Sequence, residues 1–230
     1  VSPFYPYARQ DKKHKGREPI SARLISDLYK TAGADRLMCV DLHTSQIQGF
    51  FDGPLDHLFA IPVLAKHIRD RVDDLSNVTV VSPDTGRVRV AEHWADLLDG
   101  APLAFVHKTR DINVPNQAVS KTVVGDIEGR TCVLIDDMID TGGTIAGAVK
   151  VLMDKGAKEV IIAATHPVLS DPAAERLSQC GAVEVVVTNT LPVPEEKQFD
   201  NLTILSIAPL IARAIREVFD EGSVTEIFDH

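Results

Sequence analysis

Two segments of the chain share one layout, and this repeat limits the folds that the sequence can adopt. Residues 33–43 and 156–166 each read Gly-Ala, two charged residues and an apolar strand, and each ends in histidine. An apolar strand, a polar loop and a helix are predicted before each segment, with the strands at 4–8 and 131–135. Two strands joined through a crossover helix pair in parallel. The repeat therefore predicts an α/β chain with two related domains and mainly parallel sheets.

The loops of the two copies differ in charge. In the first copy, residues 9–17 hold five Lys or Arg, a composition suited to a nucleotide polyphosphate. In the second copy, the loop after residue 135 is acidic and rich in glycine. The alternative for residues 9–17 is a basic loop that is merely solvated.

Residues 133–144 place an apolar strand directly before carboxylates and a turn of small residues. Gly142 and Gly143 let backbone N–H groups approach a phosphate, and a helix that starts there directs its positive end to the same place. Asp136 and Asp140 can accept hydrogen bonds from vicinal hydroxyls or lie near a metal ion. The run lacks the Walker ending and the Gly-x-Gly-x-x-Gly pattern. It predicts a site for a phosphorylated sugar, the alternative being acids that cap a helix and glycines that form a tight turn.

The composition excludes several classes of function. The chain has 230 residues, 44% apolar and 25% charged, as in an ordinary globular protein. A net charge of −9 argues against nucleic acid binding, because that needs a sustained basic face. No apolar run reaches the ~20 residues of a membrane-spanning helix. Cys39, Cys132 and Cys180 lie far apart, so we expect no zinc site or disulfide framework, and we expect a cytoplasmic protein.

Apolar spacing predicts the remaining elements. Residues 19–30 are predicted as a helix whose apolar face is formed by Ile20, Leu24, Ile25 and Leu28. The other predicted helices are 62–72, 90–98, 143–155, 172–179 and 208–220. The predicted strands are 36–42, 78–82, 103–108, 131–135, 160–165, 182–188 and 202–206.

The first copy of the repeat is much shorter than the second. About 60 residues form a marginal core for an α/β domain, so we expect the first domain to be incomplete and to lack an N-terminal portion. The predicted domains are 1–61, the remainder of the first domain, and 62–207, the domain with the sugar-phosphate loop. Residues 208–230 are predicted to form a C-terminal helix and tail that pack back on the first domain.

Polar residues follow three further predicted strands. They are His43, Asp84 and the pair Lys108 and Arg110, at the strand ends where open parallel sheets bind their ligands. A single His or Lys at such a place is more often structural. Together with residues 136–144 and with Arg9 and Gln10, however, these side chains supply metal ligands, a cationic clamp for a transition state and a sugar-phosphate cradle.

The motifs, in this order and spacing, resemble those of the ribose-phosphate diphosphokinase family. The segments that carry the resemblance are 6–11, 41–43, 48–51, 82–84 and 136–144. Of these segments, only residues 136–144 also resemble a part of the type I phosphoribosyltransferases, namely their phosphoribosyl-diphosphate loop. The resemblance implies two tandem phosphoribosyltransferase-like domains and the formation of phosphoribosyl diphosphate and AMP from ATP and ribose 5-phosphate. It also implies Mg²⁺ as cofactor, a homo-hexamer, and control by ADP and phosphate.

The same resemblance assigns roles to individual residues. Arg9 and Gln10 hold ATP, and His43 and Asp84 bind Mg²⁺. Lys108 and Arg110 are catalytic, and residues 110–122 are the lid that delivers them. Arg110 has a second role, because it also binds ribose 5-phosphate. The other residues that bind this substrate are Asp136, Asp140, Thr141, Gly142, Gly143 and Thr144.

Two positions depart from the family pattern. Arg87 stands where a second glycine is usual, and Thr109 stands where a basic residue is common. Both leave Lys108 and Arg110 in place, so we expect altered rates rather than lost chemistry. Two other functions stay open: a phosphoribosyltransferase that uses the same loop, and a non-catalytic subunit or fragment that only binds nucleotide or sugar phosphate.

Overall fold

A computed structural model describes residues 1–13, 15–109 and 120–228, with the backbone alone at residues 87, 88, 108, 109, 120 and 121. The helices, in chain order, are α1 (Ser21–Thr31), α2 (Ile61–Arg71), α3 (Val88–Leu97), α4 (Gly143–Asp154), α5 (Ala173–Ser178) and α6 (Ala208–Phe219). The strands are β1 (Leu37–Val40), β2 (Leu55–Leu58), β3 (Val78–Ser82), β4 (Leu103–Thr109), β5 (Ser120–Val124), β6 (Thr131–Ile139), β7 (Glu159–Pro167), β8 (Glu184–Thr188) and β9 (Leu202–Leu205).

The chain divides into two compact units. The first consists of Val1–Ala60 with Ser206–His230, and the second of Ile61–Leu205. The first unit holds the parallel pair β1–β2, and the second holds a seven-stranded sheet of order β5-β4-β3-β6-β7-β8-β9. Every described pairing is parallel except that of β4 with β5. The predicted α/β class with mainly parallel sheets is confirmed, whereas the domain boundaries 1–61, 62–207 and 208–230 stay a prediction.

The predicted strand at residues 4–8 is wrong. Ser2 forms an isolated bridge to Cys39, but residues 6–9 form a turn in which Tyr7 has φ +57°. Tyr5 is buried, and its hydroxyl lies 2.8 Å from the Ala22 carbonyl, to which it donates. The chain bends here because a buried hydroxyl needs a hydrogen-bond partner, and α1 supplies it.

Helix α1 buries a different face from the predicted one. Ala22 and Ser26 are buried, whereas Leu24 and Leu28 are 57% and 54% exposed. Of the predicted apolar face, Ile25 packs against the core of the first unit. The small residues face inward because the buried tyrosine hydroxyl lies against them, 2.6 Å from the Ser26 Oγ.

In the second unit, strand β6 is longer than predicted. It pairs with β7 as far as Ile139 and Pro167, so Asp136 and Asp137 belong to the strand and not to the turn after it. Strand β3 has the predicted bounds. Strands β2 and β5 were not predicted, and helices α2 to α5 lie within two residues of their predicted bounds. The core packs α4 and α5 against apolar residues of β6, β7 and β8.

The three cysteines are free thiols. Burial raises the pKa of Cys39 and Cys132 to about 12, and it also raises the pKa of the half-buried Cys180. No helix in the described part of the chain is long and apolar enough to cross a membrane.

A thiol reagent at pH 8 is expected to modify Cys180 well before Cys39 or Cys132. The thiolate is the reactive form, and the two buried thiols combine a high pKa with no access to solvent. Labelling with a chromogenic disulfide, followed by peptide mapping, measures the order. The unfolded chain in denaturant is the control, because all three thiols should then react alike; rapid labelling of Cys39 in the folded protein would contradict the expectation.

Candidate active site

The turn between β6 and α4 forms the centre of the candidate site. Strand β6 carries Asp136 and Asp137, and α4 begins at Gly143. Gly142 precedes the helix with φ +71°, a left-handed conformation that favours glycine. Because Gly142 has no side chain, it does not cap the first backbone N–H groups of α4, which have no intrahelical partner. These groups and the positive end of the helix can bind a phosphate.

Carboxylates and hydroxyls border this turn. Asp137 is buried, and Asp136 and Asp140 are partly buried. The Oδ1 of Asp136 accepts a hydrogen bond of 2.9 Å from the Asp137 N–H, which holds this carboxylate against its own strand. Thr141 and Thr144 are exposed. The turn thus combines acceptors for the hydroxyls of a sugar with donors for its phosphate.

The segment that follows β7 stabilises this turn through hydrogen bonds to its backbone. The Leu169 N–H donates to the Ile139 carbonyl at 2.9 Å, and Nη1 of Arg176 donates to the Thr141 carbonyl at 3.0 Å. A Cβ added at Gly142 would lie 3.5 Å from the Cα of Ala173. The residues predicted to bind the sugar phosphate therefore pack against α5.

Asp84 follows β3 in a turn that its own side chain stabilises. Its Oδ1 accepts from the Gly86 N–H at 2.9 Å, and its backbone carbonyl accepts from the Ser82 hydroxyl. The residue is exposed, so its carboxylate is held at the end of the strand with access to solvent.

Lys108 lies near the carboxyl end of β4, where its backbone pairs with that of Lys121 in β5. Arg110 and residues 111–119, which make up most of the predicted lid at 110–122, lie outside the described residues. The last three residues of that predicted lid belong to β5 instead, because they pair with the end of β4.

In the first unit, a buried carboxylate anchors the start of the basic loop. Asp11 is 4% exposed and accepts hydrogen bonds from the Thr44 hydroxyl and, at 2.7 Å, from Nε2 of Gln46. The neighbouring Gln10 has its carbonyl 3.2 Å from the Ala22 N–H in the first turn of α1. Arg9 and Gln10 are exposed, on a backbone that is held at both sides.

His43 follows β1 in a segment with several backbone contacts. Asp41 adopts φ +39°, and its Oδ2 accepts from the Ala60 N–H at 3.0 Å. The Leu42 N–H donates to Nε2 of His57 at 2.9 Å. His43 itself is partly buried. Among the described residues, no three His, Cys, Asp or Glu side chains are grouped so as to hold a metal ion.

Two parts of the chain match known family descriptions. Residues 101–229 match the phosphoribosyl synthetase-associated domain, and residues 1–33 match the N-terminal domain of ribose phosphate pyrophosphokinase. A ribose-phosphate pyrophosphokinase of Mycobacterium tuberculosis is 71% identical over 229 residues, which cover 100% of this chain and 70% of that protein. The chain belongs to the ribose-phosphate pyrophosphokinase family.

Other relatives agree with this assignment. A ribose-phosphate pyrophosphokinase of Bifidobacterium longum is 67% identical over 230 residues, covering 100% of this chain and 68% of that protein. The crystal structure of phosphoribosylpyrophosphate synthetase from Mycobacterium smegmatis has a TM-score of 0.89 and 66% identity, and the match covers 96% of this chain and 70% of that one. The resemblance inferred from the motifs is confirmed, and with it a diphosphoryl transferase family of nucleotide biosynthesis.

Within the second unit, three of the candidate residues lie on neighbouring strands of the sheet. Strands β4, β3 and β6 are neighbours and run parallel. Lys108 and Asp84 therefore lie at the carboxyl ends of adjacent strands, and Asp136 lies in the carboxyl-terminal half of the next strand, close to the usual place for ligands in open parallel sheets. Arg9, Gln10 and His43 belong to the first unit.

Two side chains that hold these segments, Asp11 and Arg176, were not predicted from the sequence. An acid inside a run of five Lys or Arg is a signal for the first, because such a residue has cations or donors to pair with. Nothing in the sequence marks Arg176, whose partner is a backbone carbonyl. The second histidine of the repeat, His166, is 1% exposed and bonded to the Thr190 hydroxyl at 2.9 Å, in an environment different from that of His43.

Proposed function

We propose that this chain transfers the diphosphoryl group of ATP to the C1 hydroxyl of ribose 5-phosphate. The observation that carries the proposal is the β6–α4 turn, where carboxylates on a paired strand stand directly before a glycine turn and a helix N-terminus. Asp136 accepts hydrogen bonds from the ribose, and residues 140–144 bind the 5-phosphate through backbone N–H groups and the hydroxyls of Thr141 and Thr144. Arg110 adds a cation to this site.

ATP and Mg²⁺ are bound by the other candidates. Arg9 and Gln10 contact ATP, and the anchored backbone on which they lie supports this role. His43 and Asp84 are the proposed Mg²⁺ ligands. Few protein ligands suffice, since Mg²⁺ commonly keeps its waters and binds through one or two side chains plus substrate phosphates. When bound, the ion would neutralise charge on the phosphates.

The chemistry requires positioning and charge neutralisation more than a protein nucleophile. The C1 hydroxyl oxygen forms a bond to the β-phosphorus of ATP and gives up its proton, while the bond from that phosphorus to the bridging oxygen breaks and AMP leaves. Negative charge develops on the transferred group and on the leaving phosphate. Lys108 and Arg110 stabilise this charge in the transition state.

The resemblance to the family also supports a proposal about assembly and regulation. We propose a cytoplasmic homo-hexamer that responds to ADP and phosphate. Analytical ultracentrifugation tests the hexamer, and a sedimentation coefficient of a monomer at micromolar concentration would contradict it.

Phosphorus NMR tests the proposed reaction directly. The chain is mixed with ATP, Mg²⁺, phosphate and ribose 5-phosphate, and the spectra are followed for AMP and a new diphosphate ester. We expect both signals, and only when the sugar is present. If neither forms while ribose 5-phosphate still binds, the proposed turnover is wrong for this chain, and a role in binding alone takes its place.

Asp140→Ala is expected to raise the dissociation constant of ribose 5-phosphate by about tenfold or more. The Asp140 carboxylate accepts a hydrogen bond from a ribose hydroxyl in the proposed site, and a hydrogen bond to a charged group contributes about 1.5–3 kcal/mol. The affinity for ATP should change little. Calorimetry measures both constants. The matched control is Asp154→Ala, which removes an exposed acid from the opposite end of α4. An unchanged sugar-phosphate affinity in Asp140→Ala would remove this residue from the site.

A further inference from the structure

The segment that follows β7 forms hydrogen bonds to the β6–α4 turn. This supporting segment, residues 168–178, reaches the turn at two backbone carbonyls. One is the Ile139 carbonyl, which accepts from the Leu169 N–H at 2.9 Å. The other is the Thr141 carbonyl, which accepts from Nη1 of Arg176 at 3.0 Å. The second contact lies inside the proposed phosphate cradle.

Arg176 lies at the first turn of α4. A Cβ added at Gly143 would be 3.5 Å from its Nη1, so the guanidinium group packs against the beginning of the helix as well as against the Thr141 carbonyl. The residue is exposed. Residues 136–144 contain three Asp and no Lys or Arg, so this guanidinium is a cation next to an otherwise acidic turn.

The hydrogen bond of Arg176 fixes the orientation of one peptide group. The only cis peptide bond among the described residues is Asp171–Pro172, so the bond between Thr141 and Gly142 is trans. In a trans peptide the C=O and N–H groups point in opposite directions. With the Thr141 carbonyl held toward Arg176, the Gly142 N–H is directed away from it. Glycine rotates easily, and without such a contact this peptide could turn over.

A second contact shows that the supporting segment is itself fixed. Leu169 is buried and has φ +46°, which is unusual for a bulky residue. Its carbonyl accepts from Nζ of Lys197 at 2.7 Å. A strained backbone persists where its surroundings hold it in place. The supporting segment can therefore act as a rigid base for the turn.

We propose that Arg176 is a positioning residue for the 5-phosphate of ribose 5-phosphate. It acts through the Thr141 carbonyl, which it holds so that the N–H groups of Gly142 and of the first turn of α4 stay directed at the phosphate. The inference rests on the proposed sugar-phosphate site and adds to it a residue from a different helix. Arg176 affects substrate binding and makes no contact with the reacting β-phosphorus.

The test compares Arg176→Met with a matched control. The control is Arg69→Met, because Arg69 is also an exposed arginine whose Nη1 donates to a backbone carbonyl, that of Leu97 at 3.0 Å. We expect Arg176→Met to raise the KM for ribose 5-phosphate about tenfold, with the KM for ATP and kcat changed less than about threefold. Arg176→Lys, which keeps a cationic donor, should recover part of the loss. Arg69→Met should leave both KM values unchanged.

Two results would overturn the proposal. One is a KM for ribose 5-phosphate in Arg176→Met equal to that of the unaltered protein. The other is a parallel rise in both KM values with the same fall in melting temperature in Arg176→Met and Arg69→Met, since that pattern indicates general loosening. Calorimetric titration with ribose 5-phosphate measures binding without turnover. It therefore tests the role of Arg176 even if the unaltered chain forms no product.

Discussion

Lys108→Ala is expected to lower kcat by about 10²–10³-fold, the loss typical of removing one charge-stabilising donor from a transition state. The dissociation constant of ribose 5-phosphate should change less than about twofold, because the lost contact forms with the transferred diphosphoryl group and not with the bound sugar. The position of Lys108 supports this expectation. Its backbone lies near the carboxyl end of β4, beside the strand that leads to Asp84.

Steady-state kinetics and calorimetry together measure the effect of Lys108→Ala. Lys121→Ala is the matched control, since Lys121 is the same residue type and is the β-sheet partner of Lys108. The control should keep most of its turnover. A Lys108→Ala variant with unchanged kcat would remove the residue from the mechanism, and one with a much weaker sugar-phosphate affinity would place it in ground-state binding instead.

Gly125→Ala is expected to lower the free energy of unfolding by about 2–5 kcal/mol, the sum of a left-handed backbone penalty and an overpacked contact. Gly125 follows β5 with φ +116°. A Cβ there would lie 2.6 Å from the Cβ of Ala104 and 2.6 Å from the Leu103 carbonyl oxygen, closer than such atoms can approach. Strand β4 would have to move, and it carries Lys108.

Gly100→Ala distinguishes the backbone penalty of a positive φ from the cost of the overpacked contact. Gly100 has φ +74°, but an added Cβ would meet nothing within 4 Å, so we expect a loss of only about 1–2 kcal/mol from the backbone. Urea unfolding followed by circular dichroism measures both variants. Equal losses at Gly125 and Gly100 would show that β4 yields to the added methyl group without cost.

Elements with strong local patterns could be predicted from the sequence. Strand β3 is a short, fully buried run rich in valine, and α4 has a glycine before its start and Gly156 after its end. The incorrect predictions concern residues whose conformation is determined by tertiary contacts. Residues 4–8 look like a strand, yet the hydroxyl of Tyr5 finds its partners on α1 and the chain bends. The same contact turns Leu24 outward.

In the candidate site too, local sequence patterns predict one part and tertiary contacts determine the rest. Residues 136–144 could be proposed as a site because carboxylates, glycines and hydroxyls suited to a sugar phosphate lie within nine positions of one another in the chain. The side chain of Arg176 meets the Thr141 carbonyl 35 residues earlier, and every residue type offers such a carbonyl. A contact of this kind leaves no pattern in the sequence. Strand β5 was missed because its apolar residues are few and it lies at the edge of the sheet, where it pairs with β4 alone.

The extension of β6 through Asp136 and Asp137 has a thermodynamic consequence for the sugar site. These carboxylates lie on a part of the strand that is paired with β7, so the sheet fixes their backbone without help from a ligand. Ordering a loop on binding would subtract conformational entropy from the affinity. In the proposed sugar site, the acceptors for the ribose hydroxyls lie on a backbone that the sheet already fixes, so binding of the ribose costs little backbone entropy.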